Sequence, residues 1–266
     1  MRMTRRKALA AGAGAVALGA GGLAGRRLWL DREPPSPQTI DAHGNALWTN
    51  WAGHEHAWPA ARRAPADEAE LAALMPRAAA PIRAVGSGHS FTGLVPTDAT
   101  LISLDRLNGL VAHDATHHRA TVRAGTRLAA LGEALAAVGQ EMPNLPDINK
   151  QSLAGALATG THGTGKTMMA LHGGVTALRL VTPSGDVVAC SRDQNPDLFH
   201  AARVGLGAFG IVTEVTLQNA PLRRLRKTTS IVETEALLAK ERGAGRGCFD
   251  QCRDHRQHRP ENDQSK

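Results

Sequence analysis

A short apolar run that ends in a glycine loop is the feature that most constrains this chain. Residues 82–85 read Ile-Arg-Ala-Val, and residues 86–91 read Gly-Ser-Gly-His-Ser-Phe. Because glycine has no Cβ, such a loop can turn tightly and present consecutive backbone N–H groups to a ligand. Free N–H groups in this arrangement suit a pyrophosphate. The sequence therefore predicts a strand followed by an anion-binding loop, with the imidazole of His89 at its lip.

Length and charge restrict the class of protein. The 266 residues allow one or two domains with a sizeable core. Aromatic residues make up only 3% and tyrosine is absent, so the core is expected to consist mainly of Ala, Val and Leu. The net charge of +7 arises largely from residues 2–27 and 223–266, and no basic stripe with interleaved aromatics is present. We therefore expect no nucleic-acid partner.

The number and spacing of the cysteines predict no disulfide framework. Cys190, Cys248 and Cys252 are an odd, scattered set, which is unlike a disulfide scaffold. Cys248 and Cys252 together with His255 and His258 have the spacing of zinc ligands, but their neighbours are polar and offer nothing apolar to pack around a metal. We interpret this stretch as a solvated tail and predict no metal site.

The N-terminal segment has the pattern of a targeting signal. Arg5 and Arg6 precede an uncharged Ala/Gly-rich run over residues 8–25, and Arg26 and Arg27 come after it. This pattern resembles a twin-arginine signal. We interpret residues 1–30 as a signal or membrane anchor, whose cleavage stays open, and residues 31–47 as a proline-rich linker. The expected location is periplasmic or extracellular, with membrane association through the N-terminus as an alternative.

Short strands and helices alternate irregularly along the rest of the chain. Helices are predicted at 67–75, 128–138, 153–158 and 196–202, with Ser152 as a helix cap. Strands are predicted at 82–85, 101–104, 120–124, 175–181, 187–189 and 211–217. The absence of a regular βαβ alternation favours an α+β fold over a doubly wound sheet.

Residues 160–167, Gly-Thr-His-Gly-Thr-Gly-Lys-Thr, match the nucleoside-triphosphatase pattern G-x-x-x-x-G-K-[ST]. That mechanism needs a buried strand before the loop and a long helix after it. Residues 152–159 are rich in Ala and Gly and favour a helix, and Gly173 and Gly174 would soon interrupt a helix after the loop. A P-loop NTPase therefore remains only the weaker alternative.

Seven motifs in order resemble a known family. They occupy residues 48–53, 86–91, 121–126, 142–145, 152–155, 160–165 and 205–213. The series is similar to the FAD-linked sugar-lactone and alditol oxidases of the vanillyl-alcohol oxidase superfamily, which include D-arabinono-1,4-lactone oxidase and L-gulonolactone oxidase. The resemblance covers residues 48–221. It implies an α+β fold, a two-subdomain PCMH-type FAD-binding domain at residues 48–222, with FAD as the cofactor.

The resemblance also implies roles for individual residues. It places His89 at the position that bonds covalently to the flavin in many members, while His162 is expected to hold its loop and Trp48 and Trp51 to pack. The implied cofactor-binding residues are Gly86, Ser87, Gly88, His89, Ser90, Ser152, Gly155, Gly160, Thr161, His162, Gly163, Gly210, Ile211 and Val212.

The implied reaction is hydride transfer from a sugar lactone or polyol to the flavin, with molecular oxygen as acceptor and hydrogen peroxide as product. In the family a C-terminal cap domain carries most catalytic side chains. We interpret residues 223–266, a basic polar tail, as a truncated or frame-shifted start of that cap, so catalytic residues are not assigned and slow turnover is expected. A non-catalytic flavin-binding module is the alternative.

Overall fold

Small sheets and short helices make up the part of the chain that the structure describes. The computed structural model describes residues 39–165, 167–224, 233–236 and 238, and the elements below belong to a compact unit that begins at Ile40. The strands are β1 Trp48–Thr49, β2 His56–Ala57, β3 Ala61–Arg63, β4 Ile82–Val85, β5 Thr100–Ser103, β6 Leu110–Asp114, β7 Arg119–Arg123, β8 Gln140–Glu141, β9 Val175–Val181, β10 Val187–Ser191, β11 Ile211–Gln218 and β12 Ala220–Pro221. The α-helices are α1 Glu68–Leu74, α2 Leu128–Ala137, α3 Leu153–Ala158 and α4 Pro196–Ala202.

Two sheets dominate this unit. The first is parallel, with β5 between β3 and β4. The second is antiparallel, in the order β10-β9-β11-β7-β6. Two antiparallel pairs, β1 with β2 and β8 with β12, complete the pairing. The mixture is an α+β fold, as the sequence predicted.

Local sequence signals explain where the helices begin. Asp67 caps α1 by accepting a hydrogen bond from the N–H of Glu70 at 2.8 Å. Ser152 caps α3 by accepting one from the N–H of Gly155 at 3.3 Å. In α2, Leu128, Leu131 and Leu135 are buried on one face, which is the spacing of an amphipathic helix.

The main core lies between the antiparallel sheet and three helices. It joins Leu131 of α2, Leu153 of α3 and Phe199 of α4 to Val122 and Val215 of the sheet. A second cluster includes Leu71 of α1, Ile102 of β5 and Val181 of β9, so it contains residues from both sheets. Apolar burial of this kind is the largest stabilising contribution to a fold.

Predicted and observed elements agree closely at several places. β4, α3 and α4 have the predicted bounds, and β9 coincides with the predicted strand at 175–181. The sequence missed β6, because Val111 to Asp114 are all exposed and show no buried alternation. It also missed the two antiparallel pairs of two-residue strands, β1 with β2 and β8 with β12.

The predicted signal or anchor at residues 1–30 lies outside the described residues, as does most of the tail at 223–266. Within the predicted linker, Ile40 and Ala46 form an isolated bridge around a turn. Asp41 accepts hydrogen bonds there from the N–H groups of His43 and Asn45 at 2.9 and 2.7 Å. None of the described helices is long and apolar enough to cross a membrane.

Candidate functional site

A cavity of about 720 Å³ opens between the glycine loop, the start of α3 and residues 202–212. Its size lies within the usual range for a pocket that takes a small organic ligand. Ten of the fourteen predicted cofactor-binding residues line it, namely Gly86, Ser87, Gly88, His89, Ser90, Ser152, Gly155, Gly210, Ile211 and Val212. The structure thus brings together three separate parts of the sequence that the motifs singled out.

The glycine loop presents unused backbone donors. Among the described residues, no protein acceptor takes a hydrogen bond from the N–H groups of residues 86–91. Gly88 has φ of +65°, a left-handed conformation that glycine adopts without strain. Successive free N–H groups around such a residue form an anion-binding concavity. The backbone is therefore suited to a phosphate group, as the sequence predicted.

Gly86 and Ser152 bring two walls of the cavity together. Ser152 is buried, and its Cβ lies 3.0 Å from the place that a Cβ on Gly86 would occupy, while its Oγ would overlap that atom. Ser152 Oγ is also 3.0 Å from the equivalent position on Gly155. Side chains larger than hydrogen are excluded at Gly86, so the loop backbone lies directly against the start of α3.

His89 stands half-buried on the cavity wall. Its ring stacks on that of Trp51, with 4.5 Å between centroids and 8° between planes. No described residue forms a hydrogen bond with either ring nitrogen of His89. Trp48 is a core residue beside Val85 and Leu101, in line with its expected packing role. Trp51, by contrast, is 53% exposed and packs on His89 rather than in a core.

Arg203 and residues 205–209 also line the cavity, and none of them is among the predicted cofactor-binding residues. Gly210 has φ of +127°, and a Cβ there would lie 2.5 Å from the carbonyl oxygen of Val181, so glycine is required where this segment meets β11. Arg203 donates to the carbonyl of His172 at 3.3 Å. The signal that would have found these lining residues was Gly205 and Gly207, which the motif at 205–213 already contained.

The residues that line the cavity carry positive charge and no negative charge. Arg83 lines it and has no carboxylate partner among the described residues. Arg203 also lines it, but its guanidinium contacts the carbonyl of His172, Nδ1 of His200 and the ring of Phe199, which are not lining residues. The described lining contains no Asp or Glu. An anionic ligand is therefore favoured by the charges as well as by the free amides.

The four remaining predicted residues, Gly160, Thr161, His162 and Gly163, do not line the cavity. The hydroxyl of Thr161 accepts a hydrogen bond from Gln151 at 3.2 Å, and Nδ1 of His162 lies 2.8 Å from the carbonyl oxygen of Gly163. These contacts hold the loop, which is the role expected of His162. Direct contact of these four residues with a cofactor stays a prediction.

The P-loop alternative lacks its structural context. The residues before its glycine loop form α3, a helix of six residues, instead of a buried strand. The short 3₁₀ turn Leu171–Gly174 comes after it instead of a long helix. Lys166 itself lies outside the described residues.

No group of three or more His, Cys, Asp or Glu in the described residues is arranged to hold a metal ion. The possible ligands between Cys248 and His258 lie outside them. Burial raises the pKa of the Cys190 thiol, the free cysteine of the described part. Cys190 packs in the main core and does not line the cavity.

Comparison with known proteins identifies the family to which this chain belongs. Residues 59–191 match the family described as FAD binding domain. The chain is 41% identical over 184 residues to L-gulono-1,4-lactone dehydrogenase of Mycobacterium tuberculosis, which covers 68% of this chain and 42% of that protein. It is 35% identical over 195 residues to D-arabinono-1,4-lactone oxidase of Yarrowia lipolytica, covering 71% of this chain and 37% of that protein. The chain thus spans about two fifths of the length of these relatives.

The residues present fit FAD. The free amides of the glycine loop suit its diphosphate, and Arg83, which lines the cavity without a described carboxylate partner, adds positive charge. The cavity of about 720 Å³ has the volume that an organic cofactor needs. The chain belongs to the FAD-binding domain family and is similar to sugar-lactone oxidases and dehydrogenases, and FAD is its cofactor.

Proposed function

We propose that this chain binds FAD for the oxidation of a CH–OH group of a sugar lactone. The observation that carries the proposal is the cavity lining, which contains the free loop amides, Arg83 and the free imidazole of His89 and no carboxylate among the described residues. The names of the relatives, L-gulono-1,4-lactone dehydrogenase and D-arabinono-1,4-lactone oxidase, support the substrate class. FAD supplies the hydride acceptor, and the protein binds and orients it.

Different groups of the chain bind and position FAD. The N–H groups of residues 86–91 would donate to the diphosphate, and Arg83 would offset its charge. Ser152 fixes the start of α3 against Gly86, which keeps these two walls close together. Residues 205–212 close the other side. These groups bind and position the cofactor, and none of them is assigned as the base of the reaction.

His89 is the candidate for a covalent link. Its ring nitrogens are free of described protein partners, so one of them would be available to bond to the 8α carbon of a bound flavin. Such a bond would replace a C–H bond of the 8α methyl group, with the proton released and the two electrons taken up finally by molecular oxygen or another acceptor. The resemblance to the family motivates this role, and the free imidazole on the cavity wall supports it.

The proposal also specifies the electron acceptor. Relatives are named both as oxidase and as dehydrogenase, and we propose molecular oxygen for this chain. Peroxide formation in air, compared with reduction of an artificial dye without air, distinguishes the two acceptors. Dye reduction with no peroxide would replace oxygen by another acceptor and leave the FAD site unaffected.

The test of the function begins with the purified chain. Flavin absorption bands are expected in the visible, and L-gulono-1,4-lactone or D-arabinono-1,4-lactone should bleach them in the absence of oxygen. Bleaching is expected to be slow, because the described lining holds no carboxylate to take the hydroxyl proton, a contribution worth about 10²–10⁴-fold. Xylitol serves as the polyol comparison. Retained flavin that no substrate bleaches would favour a non-catalytic flavin-binding module.

We also propose that residues 1–30 direct export by a twin-arginine-type route, with membrane association as its uncleaved form. The arginine pair and the mild apolar run support this. Replacement of Arg5 and Arg6 by lysine should leave the protein inside cells, as measured by fractionation. Unchanged export of the double variant would contradict the proposal.

A further inference from the structure

We propose that Trp51 is a positioning residue for His89, holding its imidazole in the orientation that presents a ring nitrogen to the flavin. This inference rests on the proposed function, since it gives Trp51 a part in FAD binding. The two rings are nearly parallel, at 8°, with centroids 4.5 Å apart. Stacking covers one face of the imidazole and leaves its edge, which carries both nitrogens, open.

Backbone contacts hold Trp51 in register with the glycine loop. The N–H of Trp51 donates to the carbonyl of Gly88 at 3.1 Å. The side chain of Asn50, which is only 4% exposed, donates to the carbonyl of Ser90 at 2.7 Å. These two hydrogen bonds attach residues 50 and 51 to the loop on either side of His89. The two segments are therefore held in register, which keeps the indole within stacking distance of the imidazole.

The exposure of the Trp51 side chain shows that it does not pack in a hydrophobic core. Trp51 is 53% exposed and Phe91, whose ring meets it edge-on at 5.3 Å, is 69% exposed. Exposed clusters of large apolar side chains usually mark a binding surface. Here Phe91 lines the cavity itself, whereas Trp51 does not line it and meets the lining residue His89 through the ring stack.

The first experiment measures the stack in the protein without depending on flavin. In NMR spectra, the ring protons of His89 should be shifted upfield by the indole in the wild type, and the shift should disappear in Trp51→Ala and return in part in Trp51→Phe. Trp58→Ala is the matched control, because Trp58 contacts another histidine, His56, edge-on at 5.3 Å. Unchanged His89 signals in Trp51→Ala would overturn the proposal.

The second experiment asks whether Trp51 acts through His89. Trp51→Ala should weaken FAD binding to reloaded protein by about 2–10-fold and lower the fraction of flavin that survives denaturation. In the His89→Ala background, the same Trp51 substitution should have no further effect on FAD affinity. An equal loss in both backgrounds would show that Trp51 contacts flavin directly or is merely structural, and would overturn the proposal. Wild-type protein that binds no FAD would instead overturn the proposed function, and the NMR measurement would still judge the stack.

Discussion

The hydroxyl of Ser152 occupies the space that a side chain on Gly86 would need. This contact joins the end of β4 to the start of α3, so the two cavity walls meet through a glycine and a small buried residue. Ser152 at the same time caps α3 through the N–H of Gly155. One serine thus sets both the helix start and the closeness of the glycine loop.

Gly86→Ala should therefore destabilise the chain and impair FAD binding. The new methyl group meets the buried Ser152 side chain, and overpacking of this kind costs about 1–3 kcal/mol. Gly132→Ala is the control, since a Cβ there meets nothing within 4 Å and α2 should gain about 0.5–1 kcal/mol. Urea unfolding and FAD titration measure both effects. If Gly86→Ala binds FAD as the wild type does, the close approach is not needed for the site.

His89→Ala should abolish covalent flavin while leaving non-covalent FAD binding. The loop amides, which donate to the diphosphate, are unchanged by the substitution. In-gel flavin fluorescence after denaturation measures the covalent fraction, and His113→Ala, an exposed residue of β6 away from the cavity, is the control. Fluorescence that persists in His89→Ala would remove this residue from the covalent role.

Glu68 links α1 to the antiparallel sheet and should make stability depend on pH. Burial raises its pKa, but hydrogen bonds from Arg179 and from Thr213, the latter at 2.5 Å, outweigh burial and hold the pKa below the ordinary 4.5. A carboxylate with a lowered pKa in the folded state contributes stability above its unfolded pKa and loses it as the pH falls through its folded pKa.

Glu68→Gln should accordingly lower the free energy of unfolding by about 1–2 kcal/mol near pH 7, allowing for the partly exposed Arg179. The difference from the wild type should shrink below about pH 4.5 and vanish once Glu68 is protonated in the folded state. Urea unfolding followed by circular dichroism over a pH series provides the measurement. The exposed Glu133→Gln on α2 is the control, and a pH-independent difference would contradict the assigned cause.

Local signals were sufficient to predict β4, α3 and α4, whereas the predicted cofactor-binding residues came from the family resemblance. A strand followed by glycines, a serine cap before Leu153 and a proline at the start of α4 each act within a few residues. Family resemblance then identified FAD. Ten of the predicted residues line one cavity. They were predictable because they lie in three sequence segments with recognisable small-residue patterns.

Contacts between distant segments could not be predicted from local patterns. The overlap of Ser152 with a side chain on Gly86 and the stacking of Trp51 on His89 depend on how separate elements pack. Glycines at 160 and 163 look like cavity residues in sequence, yet tertiary placement puts them off the wall. β6 escaped notice because an exposed edge strand lacks the alternation that burial imposes.

Lys166→Ala should leave FAD content and affinity nearly unchanged and should remove no ATPase activity. The glycine-rich motif that contains Lys166 comes after α3 instead of a buried strand, so it lacks the setting in which a P-loop lysine reaches nucleotide phosphates. FAD titration and phosphate release from ATP, measured on wild type and variant together, check both parts. Arg83→Ala is the comparison, because Arg83 lines the cavity without a described carboxylate partner and its loss should weaken FAD binding. An ATPase activity in the wild type that disappears in Lys166→Ala would revive the P-loop alternative for this segment.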